Sequence, residues 1–392
     1  MSEADAIVAS LNDINAGLFA DNNDRIRVRD ALNKALRQMQ NPWEIAWDNV
    51  ITRCGGNAAI KTLIDVGAFK KWAEAGGEPI TCTELAKLVD ADEILIRRLM
   101  RAIAGQKLIV ETDLDTYVPT PWAKALGEDP SLCAWYGGFY GELISPLLRT
   151  LPYFLKESGY KNPTDNADCN LQYWRGPGVS FFEYVGSNPL LTADFNDAME
   201  GSSRGNLTDW VDVYPTKNLF EGARPGRPLV VDVGGGKGHD LVKFHVRHPG
   251  IPAGSLVLQD LPIILKDADV NPVIKVQEYD FFTPQPVKGA RAYFMHGVLH
   301  DWPEPKGMEI LRVVTEAMEK GYSKLLIHEN MINERGAVAR VTSLDILMMG
   351  GMAAAERTEG QWRSMAEGAG LKVVKIWRGM DMGECIIEAE LA

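Results

Sequence analysis

The sequence of 392 residues has only five cysteines, which are odd in number, widely spaced and free of any CxxC pair. They are Cys54, Cys82, Cys133, Cys169 and Cys385. A disulfide framework needs paired cysteines and a zinc site needs closely spaced ones, so the sequence favours neither. We therefore expect reduced thiols, a cytoplasmic protein and no bound metal.

Long apolar runs and an excess of basic residues are also missing. The chain has no run of about 18 apolar residues, the length that crosses a bilayer. Its first segment, MSEADAIVASLNDINAG, lacks the basic and apolar parts of a signal peptide. The 41 basic and 53 acidic residues give a net charge of −12. Because nucleic-acid binding requires basic groups that displace phosphate counterions, we expect neither nucleic acid nor a membrane as a partner.

What is present resembles an ordinary globular composition, with 46% hydrophobic and 24% charged residues. At about 150 residues per domain, the length suggests two or three domains. Changes in periodicity divide the chain into segments 1–126, 127–225 and 226–392. The middle segment is aromatic-rich and mostly helical, and its composition alone dictates no chemistry.

The first forty residues carry apolar side chains at helical spacing, which predicts two amphipathic helices. Ile7, Leu11, Ile14 and Leu18 form an apolar stripe on the first of them. Such a stripe could pack on its own domain or on a second subunit. We expect the second subunit, because the stripe is far along the chain from the C-terminal sheet.

Residues 58–126 have the pattern of a winged helix, three helices followed by a hairpin. Helices are predicted over Ile60–Trp72 and Ile94–Ile103, and Thr81 with Glu84 predicts a capping box on a short helix between them. The two predicted strands are Leu108–Glu111 and Thr116–Pro119. DNA binding is one use of such a module, but its second long helix has few basic residues and the protein is acidic. A structural or dimerising role is therefore favoured.

From Arg227 onward, short β-branched runs alternate with helical segments, which predicts a doubly wound α/β sheet. The predicted strands are Leu229–Val233, Leu256–Leu258, Val273–Val276, Ala292–Met295, Leu325–His328, Val373–Ile376 and Cys385–Glu388. The last two are too close for a crossover helix, so they should pair antiparallel. We therefore predict a mostly parallel sheet with one reversed strand.

The strongest local signal is the segment DVGGGKGH, in which a buried strand ends in a glycine-dense turn that opens a helix. Such glycines let the backbone approach a ligand at the carboxyl edge of the sheet. A dinucleotide fingerprint needs glycine where this chain has His239, and no P-loop pattern is present. Asp232, Gly234 and Gly236 therefore suit a nucleoside with a neutral or positively charged group rather than a pyrophosphate.

Acidic residues end the next two strands. Asp260, followed by Leu261, stands where a carboxylate can accept both ribose hydroxyls, although it could instead cap a helix. Asp280 and Phe281 follow the third strand, where an acid and an aromatic ring can contact the amine and the face of a purine.

His300 and Asp301 follow the fourth strand, at the edge where α/β enzymes carry their catalytic residues. Asp301 could also simply start a helix, because a proline follows two residues later. Glu329 and Glu356 are acids at the ends of a later strand and a loop, and solvated charge is the alternative for both.

Taken in order, the segments DVGGGKG, DLP, DFF, HDW and ERT resemble a known enzyme family. This family is the S-adenosylmethionine-dependent O-methyltransferases of the caffeic-acid and flavonoid type, with fungal relatives that act on aromatic polyketides of the sterigmatocystin kind. The resemblance covers nearly the whole chain. It implies a class I methyltransferase fold of Rossmann-like type, S-adenosylmethionine as cofactor, and a homodimer built through the N-terminal winged-helix region.

The resemblance also implies roles for the matching residues. On the cofactor side they are Asp232, Gly234, Gly236, Asp260, Leu261, Asp280, Phe281, His296 and Ser203. On the catalytic side they are His300 as general base, with Glu329, Glu356 and Asp301. In the substrate pocket they are Phe195, Met199, Met348 and Met352. Core packing is the alternative for Phe195 and Met199, which lie at i and i+4 on a helix.

Two positions depart from the pattern of the plant members. His296 stands where they carry a lysine that contacts the cofactor, and the segment Met348–Ala355 is one residue short and has no asparagine. The phenol acceptor of the plant enzymes therefore does not follow from the resemblance.

The residues suit methyl transfer on chemical grounds. A sulfonium methyl group is already activated, so the protein must supply an aligned nucleophile. A phenol with a pKa of about 10 is mostly protonated at neutral pH, and a histidine with a pKa of about 6.5 is a suitable base. Glu329 could orient that imidazole and stabilise its protonated form.

The sequence pattern allows three other functions. An enzyme that binds S-adenosylmethionine but catalyses dehydration or a pericyclic reaction is the main alternative, and such relatives tend to lose the His-Asp pair that this chain keeps. The acidic charge disfavours a winged-helix regulator with a ligand-sensing domain. His239, in the place of the third glycine, disfavours a nicotinamide dehydrogenase.

Overall fold

The computed structural model describes residues 2–392, apart from 206–208, 267 and 380–382 and the side chains of 203–205. The chain forms two compact units, residues 1–137 and 138–392. No helix in the described part of the chain is both long and apolar enough to span a membrane.

The described part of the N-terminal unit is mostly helical. Its helices α1–α9 are Glu3–Asn12, Asn22–Met39, Pro42–Trp47, Arg53–Asp65, Ala68–Glu74, Cys82–Val89, Glu93–Gly105, Pro121–Glu128 and Pro130–Tyr136. A 3₁₀ turn lies at Ala16–Leu18 and a π-helical segment at Asp48–Thr52. Its strands β1–β3, Ile80–Thr81, Ile109–Asp113 and Thr116–Pro119, form an antiparallel sheet in the order β1-β3-β2.

Most of the predicted elements of this unit are present, with one correction. The capping box is confirmed, because the Thr81 hydroxyl accepts the Glu84 N–H and the Glu84 carboxylate accepts the Thr81 N–H. The helix predicted over Ile60–Trp72 is wrong as a single element. It is divided into α4 and α5 by Gly67, whose φ of +75° breaks the helical path.

The two N-terminal amphipathic helices are confirmed as α1 and α2, but the first is shorter than the apolar stripe. α1 ends at Asn12, so Ile14 and Leu18 lie beyond it. Ile7 is 55% exposed and Leu11 43%, and α1 buries no residue. Among the described residues, α1 therefore packs none of its apolar side chains into a core.

The C-terminal unit alternates helices and strands. Its helices α10–α19 are Ser145–Glu157, Asn170–Arg175, Phe181–Gly186, Pro189–Gly205, Trp210–Val213, His239–Arg247, Pro262–Leu265, Glu304–Thr315, Ala339–Met352 and Glu359–Gly368. Its strands β4–β11 are Val230–Val233, Leu256–Asp260, Ile274–Glu278, Ala292–His296, Lys324–Ile332, Arg357–Thr358, Leu371–Arg378 and Glu384–Leu391. Short π and 3₁₀ segments are Phe139–Ile144, Thr216–Leu219 and Leu299–Asp301.

The strands form one sheet in the order β10-β11-β8-β7-β4-β5-β6, and the short β9 pairs with β8. Strands β6, β5, β4, β7 and β8 run parallel, and β11 runs antiparallel to both β8 and β10. The predicted doubly wound sheet with one reversed strand is thereby confirmed. Among the described strands of this sheet, β9 was not predicted, because two residues are too few to show a strand pattern.

Apolar cores cover both faces of this sheet. On one face, Trp210 of α14 and Phe244 of α15 pack with Phe294 of β7. On the other face, side chains of α17 and α19 pack against alternate residues of β7 and β8, including Met295 and Ile327. Because β6, β5, β4, β7 and β8 run parallel, their carboxyl ends lie at one edge of the sheet. This edge brings residues from distant parts of the sequence side by side.

Candidate active site

His300 lies on the 3₁₀ turn that follows β7, where its ring is surrounded by acids. Its Nδ1 is 2.8 Å from Glu356 Oε1, and because a carboxylate only accepts hydrogen bonds, Nδ1 carries the hydrogen. Its Nε2 is 3.5 Å from Asp301 Oδ1, and its Nδ1 is 3.9 Å from Glu329 Oε2. The His300 side chain is only 16% exposed. All four residues of the predicted catalytic group are therefore brought together.

The geometry corrects the role that the sequence suggested for Glu329, which was to orient the imidazole. Glu356, rather than Glu329, makes the hydrogen bond that orients the imidazole. Glu329, on β8, instead uses Oε1 to accept the backbone N–H groups of Val298, Leu299 and His300, at 3.1, 2.8 and 3.3 Å. The reason is the position of β8 directly beside β7, which aims the Glu329 side chain at the backbone of the turn that follows β7.

The acids change the proton affinity of the whole group. Burial acts to lower the pKa of His300, but the charges of Glu329 and Asp301 and the hydrogen bond to Glu356 outweigh it and raise this pKa well above its usual value. Burial also raises the pKa of Asp301 to about 6 and raises that of Glu329, although the charge of His300 opposes both shifts. The acids around His300 therefore stabilise its protonated form.

Two further residues of this group were not singled out from the sequence. Arg357, buried directly after Glu356, donates to the carbonyl oxygens of Leu299 and Trp302, both at 2.8 Å. Asp345 of α18 accepts the backbone N–H of Glu356 at 2.9 Å. The ERT motif contained the signal for Arg357, but its partners are backbone atoms that no sequence pattern marks.

The glycine turn after β4 has the expected backbone freedom. Gly234, Gly236 and Gly238 have φ values of +74°, +59° and +84°, which side-chain-bearing residues rarely adopt. A Cβ on Gly235 would lie 2.5 Å from Cγ of Asp232, so only glycine fits there. Asp232 is buried, burial raises its pKa well above the ordinary value, and neither of its oxygens has a hydrogen-bond partner among the described residues. A ligand donor at this turn would meet an acceptor that the protein itself leaves unsatisfied.

The other cofactor-side residues flank the same turn. Asp260 accepts the N–H of Gly236 at 2.8 Å and the N–H of Leu261 at 2.7 Å. The Phe281 ring lies near Gly234, because a Cβ there would be 3.6 Å from its Cε1. Asp280 accepts the N–H of Phe282 at 3.0 Å and is exposed. The ends of β4, β5 and β6 thus converge on one location, as the sequence predicted for a nucleoside.

His296 forms a partly buried ion pair that the sequence did not reveal. Its Nδ1 is 2.7 Å from Oδ2 of Asp240, in the first turn of α15, and its ring stacks on that of His328 at 3.9 Å. Burial opposes the charge, but Asp240 raises the pKa of His296 to about 9, and the pKa of Asp240 itself falls to about 2. At the position where plant relatives carry lysine, this chain therefore also holds a positive charge at neutral pH.

The predicted substrate-side residues are only partly brought together. The Phe195 ring packs on Phe139 at 5.9 Å and on Phe181 at 6.0 Å. Phe181 also packs against the cluster that contains Met348 and Met352.

The remaining substrate-side prediction, Met199, stands apart from that group. Met199, one helical turn after Phe195 on α13, is 38% exposed and belongs to none of these contacts. The side chain of Ser203, the remaining cofactor-side prediction on α13, lies outside what the structure describes.

The comparison with known proteins agrees with this architecture. The family model for the O-methyltransferase domain matches residues 161–372. The chain is 37% identical over 390 residues to the O-methyltransferase mfmE of Annulohypoxylon moriforme, covering 100% of this chain and 96% of that protein. It is 30% identical over 344 residues to a demethylsterigmatocystin 6-O-methyltransferase of Aspergillus flavus, covering 87% of each chain.

Two solved structures share the whole fold. LepI in complex with S-adenosylmethionine, and a protein described as a pericyclic reaction enzyme, each superpose with a TM-score of 0.91 at 27% identity, with 100% of both chains covered. The class I methyltransferase fold and S-adenosylmethionine as cofactor, both expected from the sequence, are thereby confirmed. Because the O-methyltransferase domain model and the fungal relatives both match, the chain belongs to the S-adenosylmethionine-dependent O-methyltransferase family.

Proposed function

We propose that this enzyme methylates a phenolic hydroxyl group of a small secondary metabolite and that His300 is the general base. The observation that carries the proposal is the 2.8 Å hydrogen bond from His300 Nδ1 to Glu356. It fixes the tautomer in which a neutral imidazole has its lone pair on Nε2, the atom that can accept a proton from an acceptor hydroxyl.

The residues around the glycine turn would hold the cofactor, whose sulfonium supplies an activated methyl group. Asp232 offers two unsatisfied oxygens, and the glycine turn admits a ligand close to the backbone. Asp260 and Asp280 would contact the ribose and the adenine, with Phe281 against the base. The positive charge of His296 would attract the carboxylate of the methionine part.

His300 would accept the acceptor's proton while its surroundings stabilise the product of that transfer. Glu356, Glu329 and Asp301 place three acids within 4 Å of the imidazole nitrogens, so the imidazolium is favoured as it forms. A positioned base of this kind contributes roughly 10²- to 10⁴-fold to a rate.

The substrate side supports a flat, apolar acceptor. Phe139, Phe181 and Phe195 present aromatic rings in mutual contact, and Met348 and Met352 adjoin Phe181. Aromatic rings and thioethers favour contact with another aromatic system. The name of the relative that methylates demethylsterigmatocystin points to the same class, aromatic polyketides. Segment 127–225, which supplies the three phenylalanines, would then form the substrate region, and segment 226–392 the catalytic domain.

The N-terminal region is proposed to form a homodimer through its helices and a winged-helix module. Three helices, α4, α6 and α7, precede the β2–β3 hairpin, as in a winged helix. The exposed apolar residues support the dimer, including Ile7 and Leu11 on α1 and Trp43, Trp47 and Val50 on α3 and the adjoining π segment. All five cysteines are free thiols, which supports a reducing, cytoplasmic location.

One experiment tests methyl transfer directly. The purified protein is incubated with S-adenosylmethionine and a panel of hydroxylated aromatic polyketides, and products are analysed by mass spectrometry alongside released S-adenosylhomocysteine. Methyl transfer gives a product heavier by one methyl group together with equimolar S-adenosylhomocysteine. A rearranged product of unchanged composition without S-adenosylhomocysteine would overturn the proposal in favour of a non-methylating reaction. O-methylated analogues of the same acceptors serve as the control, because they lack the hydroxyl.

A further inference from the structure

The 3₁₀ turn that carries His300 makes few strong hydrogen bonds of its own. It has three residues, and its own backbone hydrogen bonds are long, at 3.3 Å from Asp301 to Val298 and 3.4 Å from Trp302 to Leu299. A turn of this kind cannot by itself hold a side chain to the tolerance that catalysis needs, because misplacement by about 1 Å can cost roughly 10²-fold in rate. Its position must come from groups outside it.

Two buried side chains of opposite charge supply those contacts. Glu329 accepts N–H groups from three successive residues, 298–300, and Arg357 donates to the carbonyl oxygens of Leu299 and Trp302. One carboxylate and one guanidinium thus bind three N–H groups and two carbonyl oxygens of residues 298–302. Both side chains stand on paired strands, because β8 and β9 are in register at Met331 and Arg357.

The chemistry of arginine explains why this residue type stands there. Its planar fork can reach two carbonyl oxygens at once, which the single ammonium of lysine cannot do in the same geometry. Arg357 is 5% exposed and its guanidinium lies 5.1 Å from the centre of the Trp362 ring, which limits its freedom to move. A third bond, to the carbonyl of Ala355 at 3.3 Å, ties the fork to the segment that carries Glu356.

From these contacts we propose that Arg357 is a positioning residue for His300. It holds the carbonyl side of the turn and, one residue after Glu356, links the position of the imidazole to that of the acid that orients it. Its positive charge also interacts with four acids, which are Glu329 on β8, Glu356 before β9, Asp345 on α18 and Glu304 on α17. The role of His300 as base, on which this inference rests, belongs to the proposed function.

Two substitutions separate geometry from charge. Arg357→Lys keeps the positive charge but loses the fork, so kcat should fall by about 10²-fold while the pH dependence stays close to that of the wild type. Arg357→Met removes the charge as well. A lost cation favours the protonated imidazole, so the pKa of His300 should rise further and the acidic limb of the pH–rate profile should move to higher pH. KM for S-adenosylmethionine should be unchanged in both variants.

Controls distinguish positioning from a purely structural role. Arg363→Met, on α19, removes a partly exposed arginine that pairs with Glu359 at 2.8 Å and should leave kcat and the pH profile unchanged. Calorimetric affinity for S-adenosylhomocysteine shows that each variant is folded. If the Arg357 variants that bind S-adenosylhomocysteine have wild-type kcat and a wild-type pH profile, and are only less stable to heat, the proposal is overturned.

A second measurement does not depend on catalytic turnover, and it uses a Glu329 variant beside those of Arg357. Histidine NMR titration, with the His300 resonance assigned from its loss in His300→Ala, follows the pKa of His300 directly. It should rise in Arg357→Met and should fall in Glu329→Gln, which keeps the oxygen that accepts the N–H groups but loses the charge. No change in Arg357→Met would contradict the proposal. If instead this shift occurs but the wild type methylates no acceptor, the proposed function fails while the positioning role stands.

Discussion

Asp240 and His296 form a partly buried ion pair beside the glycine turn, with Oδ2 of Asp240 2.7 Å from Nδ1 of His296. The pKa of His296 is raised to about 9, above the value of about 6.5 for an ordinary histidine. The pair therefore stabilises the folded protein fully between about pH 4 and pH 6.5. This contribution is lost as the pH rises through 9, where His296 loses its proton, and as it falls through about 2, where Asp240 gains one.

The first prediction removes the acid of this pair. In Asp240→Asn, the pKa of His296 should fall, so that the imidazole becomes neutral near pH 8. The melting temperature should drop more at pH 6 than at pH 10, and S-adenosylhomocysteine should bind roughly tenfold more weakly at pH 8, as expected for one charge-assisted hydrogen bond. Thermal unfolding and calorimetry measure the two effects.

The control is Asp212→Asn, which replaces an exposed acid paired with Arg247 and should change neither the melting temperature nor the affinity. A pH-independent loss of stability would contradict the ion pair.

The second prediction concerns the pH dependence of the base. Because the pKa of His300 is raised, the neutral imidazole becomes the major form only on the alkaline side of the usual histidine value. The rate of S-adenosylhomocysteine release should therefore rise with pH beyond about 6.5 in the wild type. His300→Ala should lose about 10²- to 10⁴-fold in kcat. It should recover partly near pH 10, where a phenol ionises unaided.

The His300→Ala variant should keep its affinity for S-adenosylhomocysteine, since the glycine turn, Asp260 and Asp280 are untouched. Rates of S-adenosylhomocysteine release, measured from about pH 6 to pH 10, therefore show whether His300 acts as a base or only stabilises the turn. Equal rates in the wild type and in His300→Ala would refute the assignment of His300 as the general base.

The third prediction concerns Asp260, which serves both the glycine turn and the proposed ribose site. Its loss in Asp260→Ala leaves the Gly236 N–H and the ribose hydroxyls without their acceptor, so binding should weaken by about 1–3 kcal/mol, or roughly 5- to 150-fold. Calorimetry with S-adenosylhomocysteine measures this loss. Glu278→Gln, the exposed neighbour of Asp260 on β6, should bind normally. An unchanged affinity in a folded Asp260→Ala protein would refute the ribose assignment.

The fourth prediction concerns the homodimer. Sedimentation of the full-length chain at micromolar concentration should show a dimer, and the pair of substitutions Ile7→Asp and Leu11→Asp should weaken it. Both residues are exposed on α1, so the charges should disturb an interface rather than a core. Val246→Asp, at a 74% exposed position on α15 of the C-terminal unit, is the matched control. A wild-type monomer, or a dimer insensitive to these charges, would count against an interface on α1.

The sequence by itself determined the elements whose signals are local. β-branched runs placed the strands, the short spacing of the last two required a reversed strand, and the glycines after Asp232 marked a turn with positive φ. The acids and histidines at strand ends were visible because parallel strands direct their carboxyl ends to one edge. The single helix predicted over Ile60–Trp72 was wrong, because Gly67, inside an otherwise helical pattern, divides α4 from α5.

Only the tertiary structure decided which of these residues are partners. His300 and Glu356 are 56 residues apart, and so are Asp240 and His296, so no local pattern relates them. That Glu356 orients His300 while Glu329 accepts backbone N–H groups, and that Arg357 contacts two carbonyl oxygens, depends on which strands are neighbours and on their register. A sequence shows which chemical groups a strand end carries, but hydrogen bonds act over about 3 Å, and distances of that size are set only when the sheet is assembled.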